Sequence, residues 1–274
     1  MKVTVKRSVT AGIDYTIAEP QHSDASTQTI ICLHGIGGDD TSFLAQSESL
    51  SQYYRVVAWN MPGYQQSEPH TELTFAGLCN ALLQFIDALG ISSVILLGQS
   101  IGGMIAQEFY HRYPQRVQSL ILVATTAAFG SRDDSFREAF LKTRLGPLDD
   151  GVGMQQLAQK AIPDIVGDKV SKEVMRSAIK SMSSVNSDSY RQVIECLVTF
   201  NRYSDWSGII CPVCLIAGGE DTNSPATTMH KMASRLPDSH CHEIKGAGHL
   251  VNMEKPEEVN EIIRCFIEEQ QADD

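Results

Sequence analysis

A serine between two glycines, a histidine in a glycine-rich loop and a pair of adjacent carboxylates are the residues of this chain whose types and setting could do chemistry. The serine is Ser100, in Gly98-Gln99-Ser100-Ile101-Gly102. A serine hydroxyl at its ordinary pKa is a poor nucleophile and needs a base within hydrogen-bonding reach. His249 is the leading base, in Lys245-Gly246-Ala247-Gly248-His249-Leu250. His230, His240 and His242 fall on a predicted helix or strand and read as surface or packing residues. A histidine acting as base needs an acid to hold its tautomer and to stabilise the imidazolium. Glu220 and Asp221 both qualify, and either could instead cap the helix that begins near Pro225. Attack on a carbonyl also creates an oxyanion, which needs two aimed N–H donors. The N–H of Ile101, directly after the serine, is one candidate. The N–H of Ile36, in the open-backboned loop His34-Gly35-Ile36-Gly37, is the other.

These residues need a scaffold that brings loops together. The apolar run Val94–Leu97 reads as a strand buried on both faces, and 101–113 carries helical spacing. A strand turning at once into a helix strains the pivot residue and lifts its side chain above the sheet. Gly98 and Gly102 are expected there because a Cβ would strike neighbouring backbone. The residues Val3, Val5, Ile13, Tyr15 and Ile17 alternate as an edge hairpin. Strands are expected at 29–33, 54–59, 117–124, 213–217 and 241–244. Helices are expected at 43–50, 74–89 (capped by Thr74), 226–236 and 255–269. This alternation predicts a mostly parallel α/β sheet flanked by helices. From about Thr126 to Ser207 it gives way to helical periodicity alone, over 136–145, 154–162, 171–182 and 189–200. The domain reading is therefore a core of residues 1–126 and 208–274, with residues 127–207 as a helical cap inserted after the sixth strand.

Taken together, His34-Gly35-x-Gly37, Gly98-x-Ser100-x-Gly102-Gly103, Gly218-x-x-Asp221-x-x-x-Pro225 and Gly246-Ala247-Gly248-His249 resemble the α/β-hydrolase superfamily over nearly the whole chain. The run from Gly246 to Asn260 is similar to the branch holding 3-oxoadipate enol-lactonases, meta-cleavage-product hydrolases and carboxylesterases. The resemblance implies the α/β-hydrolase fold and a Ser100–Asp221–His249 triad, choosing Asp221 over Glu220. It also implies a serine esterase or lactonase with a backbone oxyanion hole, acting on a small-molecule substrate without metal or organic cofactor. A carbon–carbon bond hydrolase with the same triad, or a non-catalytic receptor on the same fold, are the alternatives. Ser100 stands where related dehalogenases and epoxide hydrolases carry aspartate. One departure lies after Trp59: the branch pattern Asp-x-x-Gly-x-Gly-x-Ser is met here with Asn60 and Gln65 in place of the aspartate and the second glycine.

Composition sets outer bounds. A chain of 274 residues with 42% hydrophobic and 20% charged residues is that of a soluble globular protein. A net charge of −11 argues against nucleic acid or an anionic membrane as partner. No apolar run approaches a membrane span, and the first residues lack a signal peptide's apolar core, so the expected location is cytoplasmic. The seven cysteines are odd in number and mostly sit in apolar runs. Cys211-Pro212-Val213-Cys214 has CxxC spacing, but it opens a strand and no second pair follows, so a packing role is expected. The charged residues of the cap (Arg132, Arg137, Lys142, Arg144, Arg176, Arg191 and Arg202) are candidates to hold a substrate carboxylate, and most should be solvated.

Overall fold

Apolar runs rich in β-branched residues, stiff at χ1, pack well on a pleated surface, and here they become the inner strands of the sheet. The computed structural model describes residues 4–22, 27–129 and 134–272. Its strands are β1 (Lys6–Thr10), β2 (Ile13–Ala18), β3 (Thr29–Leu33), β4 (Arg55–Trp59), β5 (Val94–Gln99), β6 (Val117–Val123), β7 (Val213–Gly218) and β8 (Ser239–Ile244). They form one eight-stranded sheet in the order β1-β2-β4-β3-β5-β6-β7-β8. The β1–β2 and β2–β4 pairs are antiparallel and the rest parallel. The helices are α1 (Leu44–Leu50), α2 (Phe75–Ala88), α3 (Ile101–Arg112), α4 (Asp134–Asp149), α5 (Met154–Ala161), α6 (Lys172–Ser184), α7 (Ser187–Leu197), α8 (Ala226–Ala233), α9 (Val251–Glu254) and α10 (Pro256–Ala272).

Successive strand side chains point to opposite faces. Ile31 and Leu33 accordingly join one core with Leu78 of α2 and Ile105 of α3, while Ile30 and Cys32 join another with Leu50 of α1 and Ile263 of α10. The first core continues into the helices between β6 and β7, through Leu157 and Val193. Those helices, α4 to α7, interrupt the sheet after its sixth strand. The chain leaves and returns through a cross-bonded neck. The Phe129 N–H donates to the Phe200 carbonyl at 2.9 Å, and the Arg202 N–H to the Ala127 carbonyl at 2.8 Å. The Arg202 guanidinium then grips Glu108 of α3 at 2.6 and 2.8 Å.

Local capping agrees with the sequence at α2, where the Thr74 hydroxyl accepts from the Gly77 N–H at 3.0 Å. Two details differ. The edge strand begins at Lys6, after Val5, and its residues are exposed up to Val9; Val3 lies outside the described residues, as do Asp273 and Asp274. Charged residues on an edge strand discourage pairing with another chain. The second is α9, a short helix in a stretch to which the sequence pattern assigns no element. Among the described residues no helix is long and apolar enough to cross a membrane.

Candidate active site

Ser100 stands between β5 and α3 with φ 56° and ψ −120°, a region that a serine rarely adopts. Its surroundings hold it there. The Ser100 N–H donates to the Val123 carbonyl at 2.9 Å, and the Thr125 hydroxyl donates to the Ser100 carbonyl at 2.7 Å. The flanking glycines answer to sterics: a Cβ on Gly98 would overlap the Gly102 backbone, and one on Gly102 would overlap the Leu33 carbonyl. Gly103 is confined less tightly, since a Cβ would sit 2.8 Å from the Thr125 side chain.

The loop after β8 brings His249 to Ser100, and the loop after β7 brings Asp221 to His249. His249 Nδ1 lies 2.8 Å from Asp221 Oδ2, and Nε2 lies 3.0 Å from Ser100 Oγ. A carboxylate can only accept, so Nδ1 donates to Asp221 and Nε2 is left to accept the serine hydroxyl proton. Asp221 is buried, and its other oxygen accepts the N–H groups of Asn223 at 2.8 Å and Ser224 at 3.0 Å. Burial pushes this carboxyl up. The His249 bond and charge and the two N–H groups outweigh burial and hold its pKa below the usual carboxylate range. Glu220 is directed elsewhere, accepting the Asp168 N–H at 2.8 Å. His230 faces Glu243 at 3.5 Å, His240 lies beside the Phe266 ring, and His242 sits on the edge strand β8.

Ile36 lines the cavity beside Ser100, Ile101 follows Ser100 directly, and neither backbone N–H has an acceptor among the described residues. The loop carrying Ile36 is shaped by His34. Its Nε2 accepts the Met61 N–H at 3.0 Å, which leaves Nδ1 protonated to donate to the Gly35 carbonyl at 2.8 Å. Burial lowers the His34 pKa, so the ring is kept neutral.

The cavity opens beyond the carboxyl ends of the strands, where ligands of open α/β sheets bind. It encloses about 1080 Å³ of empty space, counting solvent at its mouth, and α4 to α7 supply most of its roof. Met182 of α6 closes over Gly37, whose carbonyl accepts from Ser181 Oγ at 3.0 Å.

Several residues of the site escaped the sequence reading. Gln99 fills a variable place in the elbow motif, yet its Nε2 donates to the His249 carbonyl at 2.9 Å. Glu254 on α9 accepts three N–H groups: Gly248 at 3.0 Å, Leu250 at 3.1 Å, and Gly167 of the α5–α6 loop at 2.8 Å. Its carboxylate thereby ties the histidine loop to the helical insert. The unusual residues after Trp59 also find a use. Asn60 is fully buried and donates to the carboxylates of Asp14 at 2.8 Å and Asp40 at 3.0 Å. Gln65, at φ 49°, bonds Asp39 at 2.9 Å and Ser184 of α6 at 3.1 Å. Positive φ explains why a glycine suits this place, and the amide of Gln65 offsets the strain.

Cys211 and Cys214 are both free thiols, Cys214 fully buried in β7, and burial pushes both up. Of the cap cations, Arg137, Arg191 and Arg202 pair with Asp134, Asp149 and Glu108. Lys142 is exposed, Arg176 bonds the Lys172 carbonyl at 3.2 Å, and Arg132 lies outside the described residues. Arg144 alone of the described set borders the cavity.

Sheet order, strand–serine–helix elbow and inserted helices are those of the α/β hydrolases. The family model described as alpha/beta hydrolase fold matches residues 28–177. The chain belongs to that family and is a hydrolase of the α/β fold. It is 25% identical, over 88% of this chain and 90% of the other, to an (E)-2-((N-methylformamido)methylene)succinate hydrolase of Acinetobacter baylyi. Among solved structures, it superposes on a thermophilic esterase from Thermogutta terrifontis with TM-score 0.84, 24% identity and 98% coverage of both chains. On the enol-lactonase of Burkholderia xenovorans the TM-score is 0.85, with 20% identity over 96% of this chain and 99% of that one.

Proposed function

We propose that this protein is a serine hydrolase that cleaves a small carboxylic ester or lactone through an acyl-enzyme. The observation that carries the reading is the hydrogen-bonded series Ser100–His249–Asp221, with links of 3.0 and 2.8 Å. Ser100 Oγ attacks the carbonyl carbon while His249 Nε2 takes its proton. Asp221 fixes the histidine tautomer and stabilises the imidazolium that forms. The N–H groups of Ile36 and Ile101 receive the carbonyl oxygen as it becomes an oxyanion. Collapse of the tetrahedral intermediate expels the alkoxide, which takes the proton from His249. Water then gives a proton to the same nitrogen, attacks the acyl-enzyme and releases the acid with Ser100 restored. No metal or organic cofactor enters these steps.

Residues 1–126 and 208–274 act as the catalytic core in this reading, and residues 127–207 as a cap that selects the substrate. The esterase and enol-lactonase named among the similar structures, and the succinate-derivative hydrolase among the relatives, support an acyl substrate. Seven free thiols fit a reducing compartment such as the cytosol. The test is turnover of p-nitrophenyl esters and small lactones with mapping of a fluorophosphonate adduct. Labelling at Ser100 with turnover abolished by Ser100→Ala is expected. An adduct elsewhere, or turnover untouched in Ser100→Ala, refutes the reading.

A further inference from the structure

A cation sits on the wall of a largely apolar cavity, and among the described residues no anion meets it. Arg144 projects from α4 and borders the same cavity as Ser100, together with Ile162, Ile194 and Leu197. Its neighbours are the Phe140 ring, 5.5 Å from the guanidinium carbon, and the Tyr190 phenol. Among the described residues no carboxylate lies within ion-pair distance of it, although the chain carries eleven more acidic than basic charges. Arg137, Arg191 and Arg202 of the insert have such partners, and Arg176, which has none among the described residues, is exposed and lies off the cavity. A half-buried guanidinium loses hydration that aromatic neighbours replace only in part, and a matched anion is what restores it.

A second observation points the same way. A neighbouring groove shares Arg144 with the cavity and continues past Lys160, Lys231 and Arg235, with Asp164 the sole carboxylate among its described lining. On a protein of net charge −11, that is a local reversal of sign beside the cavity. A cleft lined by one sign of charge concentrates ligands of the opposite sign and speeds their arrival.

We infer that the substrate carries a carboxylate besides the bond that is cleaved, and that Arg144 receives it, with the Tyr190 hydroxyl beside it as a further donor. This deepens the acyl-enzyme reading above and rests on it. The planar guanidinium suits a planar carboxylate through two parallel N–H···O bonds, which a lysine ammonium cannot reproduce. The carboxylate belongs to either the acyl half or the leaving half of the substrate, so both halves need testing.

The experiment compares matched charged and neutral substrates. For the acyl half, p-nitrophenyl half-esters of succinic, glutaric and adipic acids are set against p-nitrophenyl butyrate, valerate and hexanoate. For the leaving half, the acetate ester of 4-hydroxybenzoate is set against that of p-cresol. In one of the two arms the intact protein should prefer the charged member by roughly 30-fold or more in kcat/KM, the lower range for losing one partner of a desolvated charge pair. Arg144→Gln should bring that ratio close to unity through KM, and Arg144→Lys should keep part of it. Raising the salt concentration should depress the charged substrate's kcat/KM selectively. Turnover with no charge preference in either arm, or a preference that survives in Arg144→Gln, overturns this inference alone. No turnover at all and no fluorophosphonate adduct at Ser100 overturns the acyl-enzyme reading and this inference with it. The preference of the intact protein tests the substrate's carboxylate by itself, and the salt dependence and the Arg144→Lys variant test the role of Arg144 beside Arg144→Gln.

Discussion

Asp221→Asn is the sharpest probe of the site, because the surroundings of that carboxylate leave an amide no good arrangement. Oδ1 accepts two backbone N–H groups, and Oδ2 accepts the His249 Nδ1 proton. An asparagine that keeps its oxygen on the two N–H groups turns its NH₂ toward Nδ1. The histidine must then accept there, carry its proton on Nε2, and donate to Ser100 instead of accepting. A flipped amide keeps the histidine tautomer but sets NH₂ against two N–H donors, each a buried clash of like groups. The first arrangement leaves the fold intact and disables the base. Its cost in kcat should be on the order of 10⁴, the scale known for neutralising a triad acid, or about 5 kcal/mol of barrier. The assay is ester hydrolysis beside the rate of fluorophosphonate labelling, with thermal melting as control for folding. Glu220→Gln should change kcat less than about threefold, since Glu220 bonds the Asp168 N–H and not the histidine. A loss below tenfold in Asp221→Asn, or a larger loss in Glu220→Gln, would refute the reasoning.

Other expectations follow from the same contacts. Glu254→Gln should destabilise the protein by about 1–3 kcal/mol in urea unfolding, because an NH₂ replaces an oxygen that accepted a loop N–H; a kcat lowered with KM little changed would show the His249 loop loosened. Gly102→Ala should cost at least about 3 kcal/mol or prevent folding, since the new methyl meets the Leu33 carbonyl; a variant with unchanged melting would contradict the close approach of α3 to β3. Acid should weaken the fold through His34. Its folded pKa is lowered by burial, so the unfolded chain binds the proton more readily. Stability should therefore be complete above the unfolded value of ~6.5 and be lost progressively as pH falls below it. Asp221, with its depressed folded pKa, should add a further loss only below the ordinary carboxylate range near pH ~4. His34→Gln should flatten the first of these two phases in pH-dependent denaturation.

Much of the fold was legible because its signals are local. Val94–Leu97 is a short apolar run without alternation that ends at Gly98, as in a strand covered on both faces. Gly98, Gly102 and Gly103 mark where backbone approaches backbone, and those approaches occur within one strand–helix turn. The lapse of strand character after β6 announced the inserted helices for the same reason: helical periodicity is read over a dozen contiguous residues. The starts of the two edge strands, β1 and β8, were misplaced, and both have little burial to pattern them.

What the sequence by itself determined is therefore the set of turns: a serine on a strained pivot, a histidine after the last strand, and carboxylates after the strand before it. Which of those groups meet was decided only by the tertiary structure. Glu220 and Asp221 are adjacent in the chain, yet one turns to the α5–α6 loop and the other to His249, because the loop after β7 folds back on Ser224 and Asn223. Asn60 and Gln65 look like departures from a pattern until Asp14, Asp40 and Ser184 arrive beside them from distant segments. Arg144 is one basic residue among several on amphipathic helices, and no local pattern separates it from those that face solvent. Local spacing sets which way a backbone turns. Partners separated by tens of residues meet only when whole elements pack, since side-chain contacts depend on the relative position of elements that no single stretch of sequence encodes.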